Sequence, residues 1–313
     1  MKTINVFSIL LIMTVGCDYN KENTVPPVKE GMIAVEGGNI WYRMAGADKK
    51  GIPIILVHGG PGVPHDYMVN LEALASDRPV VFYDQLGCGN SDAPQDTTLW
   101  QVDRFVEELE LLRKTLKIES FHLLGQSWGG YLATSYFLKH GAGKVKSLIL
   151  SAPLLNSARW SDDQKNWILQ LPQEVQDTIE KYEANGDYAS PSYQEAMMIF
   201  YSKHLCRLDP WPEAMNNAFQ KMNPEVYNYM WGPSEFTLTG ILKDADLTDQ
   251  LNQINVPCLI TCGEFDEATP ESMTYFAGLI PGAELEIFQE ASHSHHLEKE
   301  VEYLYRINAF LNQ

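Results

Sequence analysis

Residues 121–140, FHLLGQSWGGYLATSYFLKH, carry the pattern that decides the fold. A short apolar run leads into the motif GQSWG at residues 125–129, and a segment with helical periodicity begins directly after it. A strand, a G-x-S-x-G turn and a helix in this order are typical of a nucleophile elbow, which lifts the serine hydroxyl above the edge of a sheet. Glycines flank the serine because the backbone there is strained and crowded. The pattern predicts that Ser127 is a nucleophile.

Short apolar runs alternate with helical patterns on both sides of this motif, from Ile33 onward. Such alternation is typical of a mostly parallel sheet with helices on both faces, so we expect an α/β fold with an eight-stranded sheet. The predicted strands are residues 33–36, 40–44, 54–58, 80–83, 120–124, 145–150, 258–262 and 284–288. Helices are predicted near residues 98–116, 128–140, 271–279 and 298–311.

The alternation stops over residues 154–255, where the sequence becomes helical and rich in aromatic residues. We interpret this segment as a helical cap inserted between two parts of the core, residues 31–153 and 256–313. A cap at this place would form a lid over a pocket at the carboxyl edge of the sheet. Most of its large aromatic side chains are expected to form the cap's own core. They are Trp160, Trp167, Tyr182, Phe200, Trp211, Tyr227 and Trp231.

A serine hydroxyl becomes a strong nucleophile only beside a base that a carboxylate orients. After a nucleophile elbow the acid and then the histidine follow along the chain. Asp266 comes just after the predicted strand 258–262, and His293 lies in the loop after strand 284–288. We favour His293 as the base, although His295 and His296 stand close by. No acids or cysteines at metal spacing accompany these histidines, so we expect neither a metal nor a cofactor.

The motif HGGPG at residues 58–62 also follows an apolar run. In folds with a nucleophile elbow, the amide after the serine and an amide from a loop of this kind stabilise the oxyanion. We therefore predict an oxyanion hole formed by the N–H groups of Gly60 and Trp128. Without Ser127, the same turn would be interpreted as structural.

Several motifs taken together resemble the proline iminopeptidases and the related tricorn-interacting aminopeptidases of the α/β-hydrolase superfamily. The likeness spans roughly residues 30 to 311, with Trp231 where Asn often precedes GPxEF. The first set of motifs comprises HGGPG at 58–62, HDY at 65–67, DQLGCGNS at 84–91 and GQSWGG at 125–130. The second set comprises RLDPWPE at 207–213, GPSEF at 232–236, GEFDEATP at 263–270 and ASH at 291–293.

This resemblance implies a serine aminopeptidase that releases an N-terminal residue, preferably proline, from short peptides through an acyl-enzyme. It also implies that Glu235 and Glu267 bind the free amino group of the substrate. An esterase or an amino-acid amidase on the same scaffold is the alternative, because one fold hosts many reactions. A non-catalytic surface binding protein is a third possibility, which the complete set of predicted catalytic residues argues against.

The charge composition restricts the classes of molecule that the protein can bind. The chain has 313 residues and a formal net charge of -18. It carries no run of Lys and Arg, and so much negative charge would repel a phosphate backbone. Nucleic acid is therefore excluded as a partner, and short peptides with a free N-terminus are expected.

The N-terminus resembles an export signal. Residues 1–16 carry one cation, Lys2, and an apolar run too short to cross a bilayer, which is typical of a signal peptide. Cys17 follows a small residue and precedes a polar stretch, so residues 17–30 resemble the lipidated cysteine and tether of a bacterial lipoprotein. We expect an exported protein held at a membrane by this lipid, on the periplasmic or cell-surface side. An ordinary secretory signal with a chance cysteine is the alternative.

An exported protein could oxidise its cysteines, and four of them lie beyond residue 17. Cys258 and Cys262 lie too far apart in an extended strand to bridge each other. Buried free thiols are expected at all four positions, which are Cys88, Cys206, Cys258 and Cys262.

Overall fold

A computed structural model of the chain describes residues 27–313. Eight strands form one sheet, in agreement with the prediction. They are β1 (Val28–Val35), β2 (Gly38–Ala45), β3 (Ile54–Val57), β4 (Val80–Tyr83), β5 (Phe121–Gln126), β6 (Val145–Ser151), β7 (Cys258–Gly263) and β8 (Glu284–Phe288).

The spatial order of the strands is β1-β2-β4-β3-β5-β6-β7-β8. The first two strands form a hairpin, and β2 also pairs antiparallel with β4. All remaining pairs are parallel, and β5, which leads into the GQSWG motif, lies between β3 and β6. The carboxyl ends of β5, β7 and β8 therefore meet at one edge of the sheet, where the predicted catalytic residues follow each strand.

Helices cover both faces of the sheet. The regular helices outside the insertion are α1 (Val102–Thr115), α2 (Trp128–Tyr136), α8 (Pro270–Leu279), α9 (His295–Glu298) and α10 (Glu300–Leu311). Alternate residues of β3 belong to two separate cores, Ile55 to the one packed by α1 and α2, and Leu56 to the one packed by α10. Burial on both faces explains why the central strands are continuous apolar runs.

Five α-helices and a 3₁₀ helix, Thr248–Gln253, lie between β6 and β7, where the sequence predicts a cap. The α-helices are α3 (Ser157–Ile168), α4 (Gln173–Asn185), α5 (Pro191–His204), α6 (Glu213–Gln220) and α7 (Pro224–Met230). A small cluster that includes Ile179 and Phe200 forms the insertion's own core. A twelve-residue 3₁₀ helix, His65–Ser76, was not predicted from the sequence.

Cys17 and the predicted signal peptide lie outside the described residues. Within residues 27–313, no helix is long and apolar enough to cross a membrane. The four cysteines in this part of the chain are free and buried, as predicted.

Candidate active site

The turn after β5 has the geometry of a nucleophile elbow. Ser127 has a φ of 55° and a ψ of -124°, a strained conformation for a residue with a side chain. A Cβ on Gly125 would lie 2.1 Å from the carbonyl oxygen of Gly129, and one on Gly129 would lie 2.1 Å from the carbonyl oxygen of Val57. Only glycine fits on either side of the serine, which explains the G-x-S-x-G spacing in physical terms.

His293 and Asp266 form a buried pair. Nδ1 of His293 lies 2.8 Å from Oδ1 of Asp266, and Asp266 is fully buried. The carboxylate also accepts hydrogen bonds from the backbone amides of Gly263 and Ala268, at 3.1 and 2.9 Å. The carboxylate is therefore fixed in place, and it orients the imidazole with Nε2 turned away from it.

The two predicted oxyanion donors line one cavity with Ser127 and His293. In the described part of the chain, neither the Gly60 nor the Trp128 amide donates to a protein acceptor. Gly60 has a φ of +106°, and a Cβ there would lie 2.7 Å from the amide nitrogen of Val63. The loop therefore requires glycine at this position.

Glu235 and Glu267 line the same cavity. Glu235 accepts hydrogen bonds from Gln164 Nε2 at 2.7 Å and from the Tyr227 hydroxyl at 2.9 Å. Glu267 is 3% exposed, and Oε1 lies 3.5 Å from Nε2 of His293. Within residues 27–313, the buried Oε2 of Glu267 has no hydrogen-bond partner.

The electrostatics of this cluster are dominated by burial and by the acids. Burial, together with the nearby Glu235, raises the pKa of Glu267 well above its usual range. Burial alone would lower the pKa of His293, but Asp266, Glu267 and Glu235 outweigh it and raise the pKa to about 9. The site is thus short of positive charge, and a cation beside Glu267 would relieve the repulsion between the acids.

The cavity has a volume of about 540 Å³ and extends from Ser127 into the cap. Four of the seven aromatic residues expected mostly in the cap's own core line this cavity, so that expectation is wrong for them. They are Trp160, Trp211, Tyr227 and Trp231. Trp160 and Trp231 are also buried in the larger core cluster that includes α1 and α2, so they do not belong to the cap's own core.

Comparison with known proteins agrees with this geometry. The family described as the alpha/beta hydrolase fold matches residues 52–300. The proline iminopeptidase of Heyndrickxia coagulans is 45% identical over 284 residues, which cover 90% of this chain and 98% of that protein. This chain belongs to the proline iminopeptidase family.

Two solved structures are similar to this chain over most of its length. The crystal structure of the proline iminopeptidase of Mycobacterium smegmatis has a TM-score of 0.84 and 34% identity, covering 91% of this chain and 98% of that one. The crystal structure of VinJ has a TM-score of 0.88 and 34% identity, covering 92% of this chain and 99% of that one. The predicted α/β-hydrolase fold is confirmed, and so is the predicted family.

The histidines beside His293 have different surroundings in this family member. Nε2 of His295 lies 3.1 Å from Ser151 Oγ and 2.9 Å from Thr261 Oγ1, within the core. Nε2 of His296 lies 3.1 Å from the carbonyl oxygen of Tyr67. Neither lines the cavity with the serine, and burial lowers the pKa of both.

The DQLGCGNS segment supports the glycine-rich loop, a contact that the sequence does not reveal. The backbone amide of Gln85 donates to Nε2 of His58 at 3.0 Å, and Gln85 Nε2 donates to the carbonyl of His58 at 3.0 Å. Gln85 Oε1 in turn accepts from the indole N–H of Trp128 at 2.9 Å. One side chain thereby links the two segments that carry the proposed oxyanion donors.

The end of α5 is a further contact that the sequence does not predict. The carbonyl oxygen of His204 accepts the backbone amide of His293 at 3.0 Å and that of Glu267 at 3.4 Å. The indole N–H of Trp167 donates to the carbonyl of Asp266 at 2.8 Å, and its ring stacks on His204. The cap therefore positions the backbone of both loops that follow β7 and β8.

Proposed function

We propose that this chain is a serine aminopeptidase that releases the N-terminal residue, preferably proline, from short peptides. The observation that carries the proposal is Glu267, a buried acid beside His293 with one oxygen left without a partner. A carboxylate in that position suits a ligand that brings its own positive charge and its own hydrogen-bond donors. The α-ammonium or secondary ammonium group of a peptide N-terminus supplies both.

In the proposed reaction, the hydroxyl oxygen of Ser127 attacks the carbonyl carbon of the first residue, and His293 takes the hydroxyl proton. The amides of Gly60 and Trp128 donate to the developing oxyanion. The imidazolium, held by Asp266, then protonates the leaving amine, and the C–N bond breaks to give an acyl-enzyme. Water activated by His293 releases the residue and restores the serine.

Restriction to the chain end follows from the position of the two acids. An internal peptide bond would place a neutral amide, instead of an ammonium, against Glu235 and Glu267. A buried acid without a cationic partner is costly, so such a substrate loses binding free energy at the reacting end. The rest of the cavity leaves room for the residues that follow the scissile bond.

The experiment that tests this proposal compares prolyl, alanyl and leucyl arylamides, each with a free and an acetylated amine, beside simple esters. We expect the free prolyl amide to have the highest kcat/KM and its acetylated form to be cleaved at least tens-fold more slowly. Equal cleavage of the free and acetylated prolyl amides would refute the aminopeptidase and favour the esterase or amidase.

The catalytic assignment has its own test. Ser127→Ala, Asp266→Asn and His293→Ala should each lower kcat by several orders of magnitude, and combinations should cost little more because the three act as one unit. His296→Ala is the matched control and should keep the chemistry if it folds, because His296 contacts the carbonyl of Tyr67, whereas His295 lies 3.7 Å from Asp266. Loss of turnover in a folded His295→Ala or His296→Ala variant, with activity retained in His293→Ala, would refute the assigned base.

We also propose that the protein is exported and anchored through a lipid on Cys17. The support is the sequence of residues 1–30 alone, an apolar signal followed by a cysteine and a polar tether. Mass spectrometry of the mature N-terminus tests this proposal, since an unmodified N-terminus at any other residue contradicts it.

A further inference from the structure

Gln126, the residue before the proposed nucleophile, connects the proposed base to a buried tyrosine. Its Nε2 lies 3.0 Å from Nε2 of His293, and its Oε1 lies 2.6 Å from the hydroxyl of Tyr67. The Tyr67 hydroxyl lies 2.6 Å from the backbone nitrogen of Gly59, in the glycine-rich loop. Gln126 is 3% exposed and Tyr67 is 5% exposed, so water competes little with these contacts.

The chemistry of the donors fixes the direction of this chain of hydrogen bonds. The Gly59 N–H can only donate, so the Tyr67 oxygen accepts there. The single hydroxyl proton of Tyr67 then goes to Oε1 of Gln126, an oxygen that can only accept. The amide therefore turns its NH₂ group toward His293, and this contact is a hydrogen bond only when the ring is neutral and Nε2 presents a lone pair. The remaining ring proton lies on Nδ1, 2.8 Å from Asp266.

We propose that Gln126, oriented by Tyr67, is a positioning residue that holds His293 in the neutral tautomer a general base requires. The inference rests on the proposed role of His293 as the base. The Ser127 hydroxyl must use the same lone pair when it attacks, so Gln126 holds the imidazole in the resting enzyme and yields this contact during turnover. The side chains of Tyr67 and Gln126 thereby connect the glycine-rich loop to His293.

The need for such a device follows from the charges around His293. Asp266, Glu267 and Glu235 favour the imidazolium and together outweigh burial, which disfavours it. An N–H that donates to Nε2 stabilises only the neutral ring. Removing that donor, or replacing it with an acceptor, should therefore raise the pH at which the base becomes active.

The test is the pH dependence of kcat/KM between pH 5 and 10.5, because its acidic limb reports the pKa of the base in the free enzyme. A free prolyl amide and a simple ester are measured for the wild type, Gln126→Glu, Gln126→Ala and Tyr67→Phe. Gln126→Glu places an acceptor and a negative charge beside the ring, and we expect its limb to move up by about one unit or more. Gln126→Ala and Tyr67→Phe should raise the apparent pKa of the acidic limb by less. At pH values above this pKa, their kcat/KM should stay within several-fold of the wild-type value.

Tyr83→Phe is the matched control. It also removes a buried tyrosine hydroxyl, one that has no hydrogen-bond partner within residues 27–313, and Tyr83 does not line the cavity. Its acidic limb should coincide with that of the wild type. If Gln126→Glu fails to fold, Tyr67→Phe and Gln126→Ala decide the question.

If the folded variants have a lower maximal kcat/KM but an unchanged apparent pKa of the acidic limb, the role of Gln126 is merely structural and the inference is overturned. A decrease in that apparent pKa would overturn it as well. The ester separates this outcome from failure of the proposed function. An enzyme that hydrolyses the ester but not the prolyl amide is no aminopeptidase, yet its acidic limb still reports on Gln126.

Discussion

Replacing Glu267 by glutamine is the sharpest test of how the enzyme recognises a chain end. The change keeps the size of the side chain and removes its capacity for negative charge. Glu235 already accepts two hydrogen bonds, from Gln164 and Tyr227. Glu267 has one oxygen without a partner in the described residues, so it has the greater free capacity for an ammonium.

The magnitude follows from burial. Truncating one partner of a buried, hydrogen-bonded charge pair typically costs about 2–5 kcal/mol, which corresponds to roughly 30-fold to several thousand-fold in kcat/KM. Burial beside Glu235 raises the pKa of Glu267 well above its usual range, so part of the binding free energy ionises this acid. We therefore expect the lower end of the range, about 30-fold, for free prolyl amides near neutral pH.

The assay compares wild type, Glu267→Gln and Glu264→Gln on a free prolyl amide, its acetylated form and a simple ester. Glu264 lies in the same loop but does not line the cavity, so it controls for a neutral substitution there. The acetylated amide and the ester should be cleaved nearly as well by Glu267→Gln as by the wild type. An equal loss on all three substrates would refute the reasoning, because it would place Glu267 in the chemistry and not in amine recognition.

Three further predictions concern the elbow, acid stability and the leader. Gly125→Ala should lower the thermal stability or abolish turnover, because its Cβ would lie 2.1 Å from the Gly129 carbonyl oxygen. Gly278→Ala is the control, since no atom lies within 4 Å of its Cβ position, and it should change neither thermal unfolding nor activity. Burial lowers the pKa of four histidines, His58 among them, from 6.5 to about 4, so the unfolded chain binds more protons between these values. Glu108 and Glu267 act in the opposite direction, because burial raises their pKa and the folded chain keeps protons that the unfolded chain has lost. The four histidines outnumber these two acids, so the free energy of unfolding should fall as the pH drops from 6.5 to 4, by up to about 1.4 kcal/mol per unit for each histidine before this offset. Urea titrations that show constant stability would contradict this. Cys17→Ala should move the protein from the membrane fraction to the soluble fraction, which fractionation and immunoblotting would detect.

The sequence predicts the sheet and the catalytic loops well because both depend on local pattern. Strands β3 to β7 each contain a short apolar run between turns, and all eight strands overlap the predicted ranges, although β1 begins at Val28, before the predicted residue 33. Ser127, Asp266 and His293 follow the ends of β5, β7 and β8, so parallel pairing brings the three loops to one edge. Their order along the chain was enough to place them around one cavity.

Contacts between distant segments could not be predicted in this way. Gln126 and Tyr67 are 59 residues apart, and nothing in the spacing of the two motifs shows that their side chains share a hydrogen bond. The aromatic residues of the cap carry the same composition whether they pack against one another or line a cavity. Trp160 and Trp231 line the same cavity as Ser127, and which of the two arrangements occurs depends on the packing of the whole insertion.

The contacts of the cap also bear on how substrate binding reaches the chemistry. His204 ends α5, and its carbonyl accepts the amide of His293, the proposed base, and of Glu267, the proposed amine-binding acid. Both residues are thus fixed to one point of the same helix that supplies Met197 and Tyr201 to the cavity wall. A shift of α5 would displace the base and the acid together, and catalysis is sensitive to displacements of about 1 Å. Substitutions in the wall at α5 should therefore change kcat as well as KM, whereas a cap that only enclosed the substrate would change KM alone.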